Sequence, residues 1–424
     1  MEYSIQKDSY VGIPKCYKPM SAMNLESAGI LPILRDSTLS VNGQGVSIIA
    51  LEQAGENAQR MEEVIREASP GAEVVMREMQ DAPKDLKEFF FIPRDTFVVA
   101  ETDILKVVQE YMERAEPTVL CLPLGCNNGS HSGDGLLSSL LNQFALRDKH
   151  AVVVAAGNEG ANAHHYKGVV DSVLSPKRVQ ILVPKNLEGF YVELWCLPPE
   201  RVEVTVQSPT GEISPLGTSL APENITYTYL FERTRVEIDY RDVGISNRDQ
   251  LVFIRFEKPV EGIWTINVYP KYTFFGEFHM WLPAEGLLGA DVVFLEPNPD
   301  NTITTPGDAK SVITVGGFDV LRKSVFLETG RGYNIDGTIK PDFLAPCEEN
   351  RFLGTSVAAG ITAGAAALCL QWALEREGTE AINGVDIRDF LIRGCTRRED
   401  TVYPNTLEGY GNLNLYESFL TLKL

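Results

Sequence analysis

Of the residues that could do covalent chemistry, Ser356 has the most suggestive setting. It follows Gly-Thr in FLGTSVAAGITAGAAALCLQW, at the mouth of a run of small helix formers. A serine hydroxyl attacks an acyl carbon only when a base takes its proton, so the question passes at once to the five histidines, at 131, 150, 164, 165 and 279. His150 sits in the polar turn LRDKH and His279 in a β-rich region, where both read as structural. His131 and the His164/His165 pair follow apolar strands, at the edge of an α/β sheet where ligand sites form. Ser356 also has a plain structural reading, as an N-cap that bonds the first N–H groups of a helix.

The elements that must position these residues are legible from hydrophobic spacing. Residues 46–51 (VSIIAL) read as a buried strand. In ENAQRMEEVIREASPG, Met61, Val64, Ile65 and Ala68 fall on one helical face, and Pro70-Gly71 stops the helix. EVVM at 73–76 is a second strand, completing a βαβ unit with parallel strands. The pattern recurs with a helix over 103–114 and strand TVLCLPLG, then with a helix over 136–146 and strand AVVVAAG. Nearly all-apolar strands alternating with helices predict a parallel sheet covered on both faces. From about 172 to 292 the texture changes to period-two alternation with frequent turns, read as an all-β jelly-roll insertion. Helix-and-strand texture then resumes. The expected organisation is an irregular extension over 1–40, core over 41–171, insertion over 172–292, and core again over 293–424.

Composition narrows the function classes. A net charge of −20 over 424 residues excludes a nucleic-acid or anionic-membrane surface of ordinary kind, since phosphate contacts need a basic face. No run of about 18 apolar residues predicts a membrane span, and the N-terminus lacks the apolar region of a secretory signal. Seven cysteines, three of them in apolar runs, read as core thiols of a reducing compartment. No spacing suggests zinc or calcium, and no cofactor is expected.

Several segments together resemble one family. AVVVAAGNEG, GTSVAAGITAGAAAL, TITTPGDAKSVITVGGF and GTIKPDFLAPC are similar to the core segments of subtilisin-like serine peptidases, the subtilases. FFFIPRDTFVVAETDI, LPLGCNNGSHSGDG, the HH of ANAHHY and the β insertion narrow the likeness to Csp-type germination subtilases of spore-forming Clostridia. The resemblance covers roughly residues 20–424. It implies a subtilisin-like α/β fold with a seven-stranded parallel sheet, Ser356 at the nucleophile position and Asn158 at the oxyanion position. Gly125, His131, Gly157 and Thr355 fall in segments that form the substrate loops and the nucleophile turn.

Two parts of the family machinery are missing. At the orienting Asp position GQGVSIIALEQAG delivers Glu52, one methylene longer. The His-Gly-Thr-His segment belongs between the first two core strands, where only about twenty residues remain and none is His. The core also begins within about 45 residues, so no full prodomain is expected. The resemblance therefore implies a pseudoprotease that acts by binding in a germination-type protease cascade. Its expected partners are an active subtilase or its zymogen substrate, with a small-molecule ligand possible, no nucleic acid and no membrane insertion. The expected location is cytoplasmic or spore-associated in a bacterium. The alternative is an active endopeptidase with a non-standard triad, using Glu52 or His131.

Overall fold

The computed structural model describes residues 22–171, 175–217, 224–243, 248–347, 354–376 and 381–423. Its centre is a seven-stranded sheet. From one edge the order is Ser324–Val325, Ile313–Asp319, His150–Ala155, Thr118–Leu122, Ser47–Glu52 and Glu73–Glu78, with Phe343–Cys347 pairing to Ile313–Asp319. All these pairings are parallel except that of the short edge strand Ser324–Val325.

Alternating side chains send each strand's apolar residues to two faces. Ile48, Ala50, Val119, Cys121 and Val153 face helices Glu56–Ala68 and Gly354–Arg376. Ile49, Leu51, Leu120, Leu122, Val152 and Val154 face helices Glu101–Met112 and Leu136–Ala145. The expected helical stripes are the buried ones: Met61, Val64, Ile65 and Ala68 in the first helix, and Ile104, Val107, Val108 and Tyr111 in the second. The expectation of an irregular stretch up to residue 40 needs correction. Ala22–Ser27 and Ile30–Arg35 are short helices, and Leu25, Ile30 and Ile33 enter the core. Residues 1–21 lie outside the described part.

Between the two parts of this sheet the chain builds two antiparallel sheets around a separate core. The six-stranded sheet runs His165–Val169, Glu277–Trp281, Gly189–Cys196, Asp249–Glu257, Arg235–Val243 and Asn224–Thr228. The four-stranded sheet runs Val293–Phe294, Lys177–Val183, Gly262–Tyr272 and Arg201–Gln207. Period-two residues such as Val202, Val204, Val206, Ile266 and Val268 meet Val192, Leu194, Ile254 and Phe256 between the sheets. The outer face of the six-stranded sheet turns Tyr191, Trp195, Phe253 and Trp281 toward the parallel-sheet domain.

Helix Gly354–Arg376 is long and apolar enough to cross a membrane by composition, but here it is a core helix, buried from Gly354 through Gln371. Small residues let it approach its neighbour. A Cβ on Gly364 would stand 2.4 Å from Ala68 Cβ, and one on Gly360 would stand 2.8 Å from Met61 Sδ. Gly364→Ala gains about 1 kcal/mol of helix propensity. It also overpacks a backbone-limited contact, at a cost of about 1–3 kcal/mol or more. The expected net effect is a lower unfolding midpoint in urea; a midpoint at or above wild type would show that the two helices have room to separate.

Candidate active site

Three chain segments converge at the carboxyl edge of the parallel sheet. Strand Thr118–Leu122 runs into Pro123-Leu124-Gly125, strand His150–Ala155 runs into Gly157-Asn158, and helix Gly354–Arg376 starts with Gly-Thr-Ser. The turn at Gly157 needs positive φ, 86°, which brings Asn158 round to the helix. Asn158 Oδ1 accepts from both the backbone N–H and the hydroxyl of Thr355, each at 3.1 Å. Thr355 Oγ1 in turn accepts from Gly157 N at 3.1 Å. Gly354 lies so close to Asn158 that a Cβ there would stand 2.3 Å from Oδ1.

Ser356 is therefore brought beside Asn158, in a closed arrangement. It is the third residue of the helix, so the N-cap reading fails on position. Its hydroxyl is 3% exposed and donates to Pro123 O at 3.0 Å. A backbone carbonyl orients a hydroxyl but cannot take its proton at neutral pH, so this contact does not activate the oxygen.

Glu52 ends the first strand and is fully buried. Oε1 accepts from Gln53 N at 3.2 Å, while Oε2 is buried without a hydrogen-bond partner. Burial pushes its pKa up to about 8, against a slight downward pull from the Gln53 amide. The group is a neutral acid at pH 7. It carries no charge to steady an imidazolium and has its proton already in place, which removes it as a base. Helix Glu56–Ala68 follows it directly and brings no histidine to the cleft.

The histidines are engaged elsewhere. His131 is 2% exposed, with Nδ1 2.7 Å from Ile303 O and Nε2 3.2 Å from Asn127 O. His164 Nδ1 pairs with the buried Glu159 carboxylate at 2.7 Å, and that carboxylate holds the ring above the ordinary histidine pKa despite burial. His165 and His279 meet at 3.0 Å, and His150 contacts its own turn at Asp148 O.

The space beside Ser356 is nearly filled, for a reason the sequence reading missed. Gly125 and Gly157 both face Thr304; a Cβ on either would stand 2.2 to 2.4 Å from its side chain. What remains between Pro123, Gly125, Gly157, Asn158, Thr304 and Ser356 is a cleft of about 10 Å³. That is room for roughly one water. Backbone bonds in both directions between Cys126 and Thr305, at 3.0 and 2.9 Å, hold the two walls together. A larger cavity of about 270 Å³, lined by Cys369, Trp372, Ile382 and Phe390, is a separate feature. Cys369 lies thirteen residues along the helix from Ser356, about 20 Å away.

Residues 290–412 match the subtilase family. That stretch is 123 of the 424 residues. The subtilase stretch contains Thr304, Thr355 and Ser356, while Glu52, Gly125, Gly157 and Asn158 lie before it. The fold likeness runs further. The Clostridium perfringens CspB protease superposes with a TM-score of 0.77 at 20% identity, over 95% of this chain and 99% of that one. A lanthipeptide protease gives a TM-score of 0.44 at 12% identity, over 94% of this chain and 95% of that one. The patellamide maturation protease PatA gives 0.43 at 12% identity, over 90% and 98%. No curated protein sequence matches the chain.

The state of Glu52 has a measurable consequence. Its pKa in the folded protein lies above the unfolded value, so folded protein holds the proton while unfolded chain releases it. The contribution is complete below about pH 4.5 and declines as pH rises toward 8, by on the order of 5 kcal/mol across that window. Glu52→Gln keeps the shape and removes the titration. The difference in unfolding free energy between Glu52→Gln and wild type should therefore widen steadily from pH 5 to pH 8. A difference independent of pH would show that Glu52 ionises normally in the folded state.

Proposed function

We propose that this chain is a catalytically inactive subtilase homologue that works by binding, in the regulation of a protease cascade of the spore-germination type. The observation that carries the reading is the closed cleft at Ser356: a hydroxyl donating to a carbonyl, a protonated Glu52 at the orienting position and Thr304 in the space beside them. Each feature opposes acyl transfer separately. A triad lacking its Ser or His alone loses about 10⁶ in rate, and a closed cleft removes the binding energy that would sustain the residue of activity.

The proposed partner is an active subtilase or its zymogen. A small-molecule ligand belongs to the same proposal, as does a location in the bacterial cytoplasm or the spore. The alternative is an active endopeptidase with a non-standard triad. It needs a base within reach of Ser356 Oγ, and the two groups suggested for it are a protonated Glu52 and a His131 whose two ring nitrogens face backbone carbonyls.

A fluorophosphonate probe separates the two readings, because it reacts with activated serines. The purified chain should be labelled no more than its Ser356→Ala variant, with an active serine peptidase labelled in the same tube. Labelling that disappears in Ser356→Ala would establish the active reading instead.

A further inference from the structure

Three histidines from three different elements stack on one indole. His131 comes from the loop after strand Thr118–Leu122, His165 from strand His165–Val169, and His279 from strand Glu277–Trp281. Their ring centroids lie 4.1, 4.8 and 5.4 Å from that of Trp281, at interplanar angles of 11°, 27° and 11°. All four side chains are buried.

The column grips one stretch of backbone, residues 298–304, at three carbonyls. His165 Nδ1 lies 3.1 Å from Asn298 O, Trp281 Nε1 donates to Asn301 O at 3.2 Å, and His131 Nδ1 lies 2.7 Å from Ile303 O. The next residue is Thr304, which fills the cleft beside Ser356. The other nitrogen of His131 faces Asn127 O, two residues past Gly125 in the loop that lines the cleft.

Counting hydrogens shows that the neutral column is not fully bonded. A neutral imidazole carries one N–H. On His131 the shorter contact, to Ile303 O, takes it, and Nε2 then faces Asn127 O with no hydrogen between. In the other chain two neutral rings have two N–H groups for three contacts, those to Asn298 O, between His165 Nε2 and His279 Nδ1, and to Glu277 Oε1, so one contact lacks its hydrogen whichever tautomers are present. Two further protons would complete both chains, but they would put charge into a buried stack.

Desolvating a charge outweighs leaving one neutral hydrogen bond unmade. Burial accordingly holds all three rings below the ordinary histidine range, His165 furthest. The charged groups facing the stack cannot neutralise several protons. Glu277 faces His279 but also pairs with Lys167 at 2.9 Å. Asp308 faces His131 and is itself pushed toward its neutral form by burial. Glu193, cross-strand from Trp281, is turned to Gly129 N and Trp195 Nε1. His164, next in the chain to His165, is paired with Glu159. One proton can settle on His279 against Glu277, but a second, on His131, puts a like charge on another ring stacked on the same buried indole.

We propose that this column is a proton-sensitive latch. With neutral rings it holds residues 298–304 down and Thr304 in the cleft; when more than one ring is protonated, that segment lets go and the cleft beside Ser356 opens. The sign follows from the histidines: the open form binds more protons than the closed one. Closure is therefore complete above the ordinary histidine pKa and is lost as pH falls below it. This regulation of access goes beyond the binding role and holds whether or not Ser356 is catalytic.

Two measurements on the wild-type chain test it together. With only five histidines, ring-labelled NMR follows each protonation state, and hydrogen exchange follows each backbone segment. Between about pH 7.5 and about pH 5.5, exchange corrected for intrinsic rate should rise at least about tenfold in residues 125–131 and 298–305. Helix Gly354–Arg376 should not change, and the rise should coincide with titration of the His131, His165 and His279 rings. His150→Gln, outside the column, should leave the response intact, whereas His165→Asn should flatten it. If His165→Asn does not fold, the wild-type pair of measurements still decides. Exchange that ignores pH in these segments, or that rises equally throughout the sheet, would overturn the latch.

Discussion

The rest of the structure depends on one constraint: helix Gly354–Arg376 has almost no face for water. Nearly every side chain from Val357 to Leu370 is apolar or small and buried, so the helix must be covered on all sides at once. The parallel sheet covers one side and helix Glu56–Ala68 another, and Gly360 and Gly364 set the distance to that helix. Once the helix is fixed, the place of its first turn is fixed too. The Thr355–Asn158–Gly157 bonds then tie that turn to the end of strand His150–Ala155. An active-site signature here is thus also a packing joint, and its residues have structural work whether or not the serine reacts.

Helix Glu56–Ala68 carries the second consequence. It stands where the family resemblance places the base-bearing segment, and it is amphipathic for a core purpose, with Met61, Val64, Ile65 and Ala68 buried. The family resemblance would bring the histidine facing Ser356 from the start of this segment. Here the chain passes from Glu52 through the three residues Gln53-Ala54-Gly55 into acidic and polar first-turn residues, Glu56 among them. Glu52, with no cation or imidazole bonded to it among the described residues, is buried as an acid.

Much of this was legible in the sequence because it rests on local pattern. The parallel strands, their helices and the buried stripe of each follow from periodicities of 2 and 3.6, and the missing histidine follows from a short gap. What the sequence did not disclose are contacts closed across long separations. Thr304 reaches Gly125 and Gly157 over about 150 residues or more, and the Trp281 column gathers side chains from 131, 165 and 279. Nothing in TITTPGDA marks Thr304 as a plug, since its neighbours Thr302 and Thr305 have the same chemistry. The one available signal was the pair of glycines, which require a close neighbour without naming it. The helices at Ala22–Ser27 and Ile30–Arg35 were missed because six residues are too few for a periodic pattern to show.

Closure of the cleft fits the proposed inactive reading energetically. A working peptidase has to keep backbone donors and an Asn amide unfilled, ready for an oxyanion that is absent most of the time, and that openness costs stability. On the proposed reading there is nothing for such openness to serve. The walls can then bond to each other, as Cys126 and Thr305 do, and a side chain can occupy the space between two glycines. The inserted sheets reinforce this from outside. Glu193 accepts from Gly129 N, Tyr191 donates to Asn128, and Asn127 donates to Leu282 O and Glu159. The loop that would receive a peptide strand is thereby bound to the chain's own β domain. Any partner that uses this edge must therefore either bind the closed surface as it stands or displace these bonds, and the second route couples binding to movement of the inserted sheets.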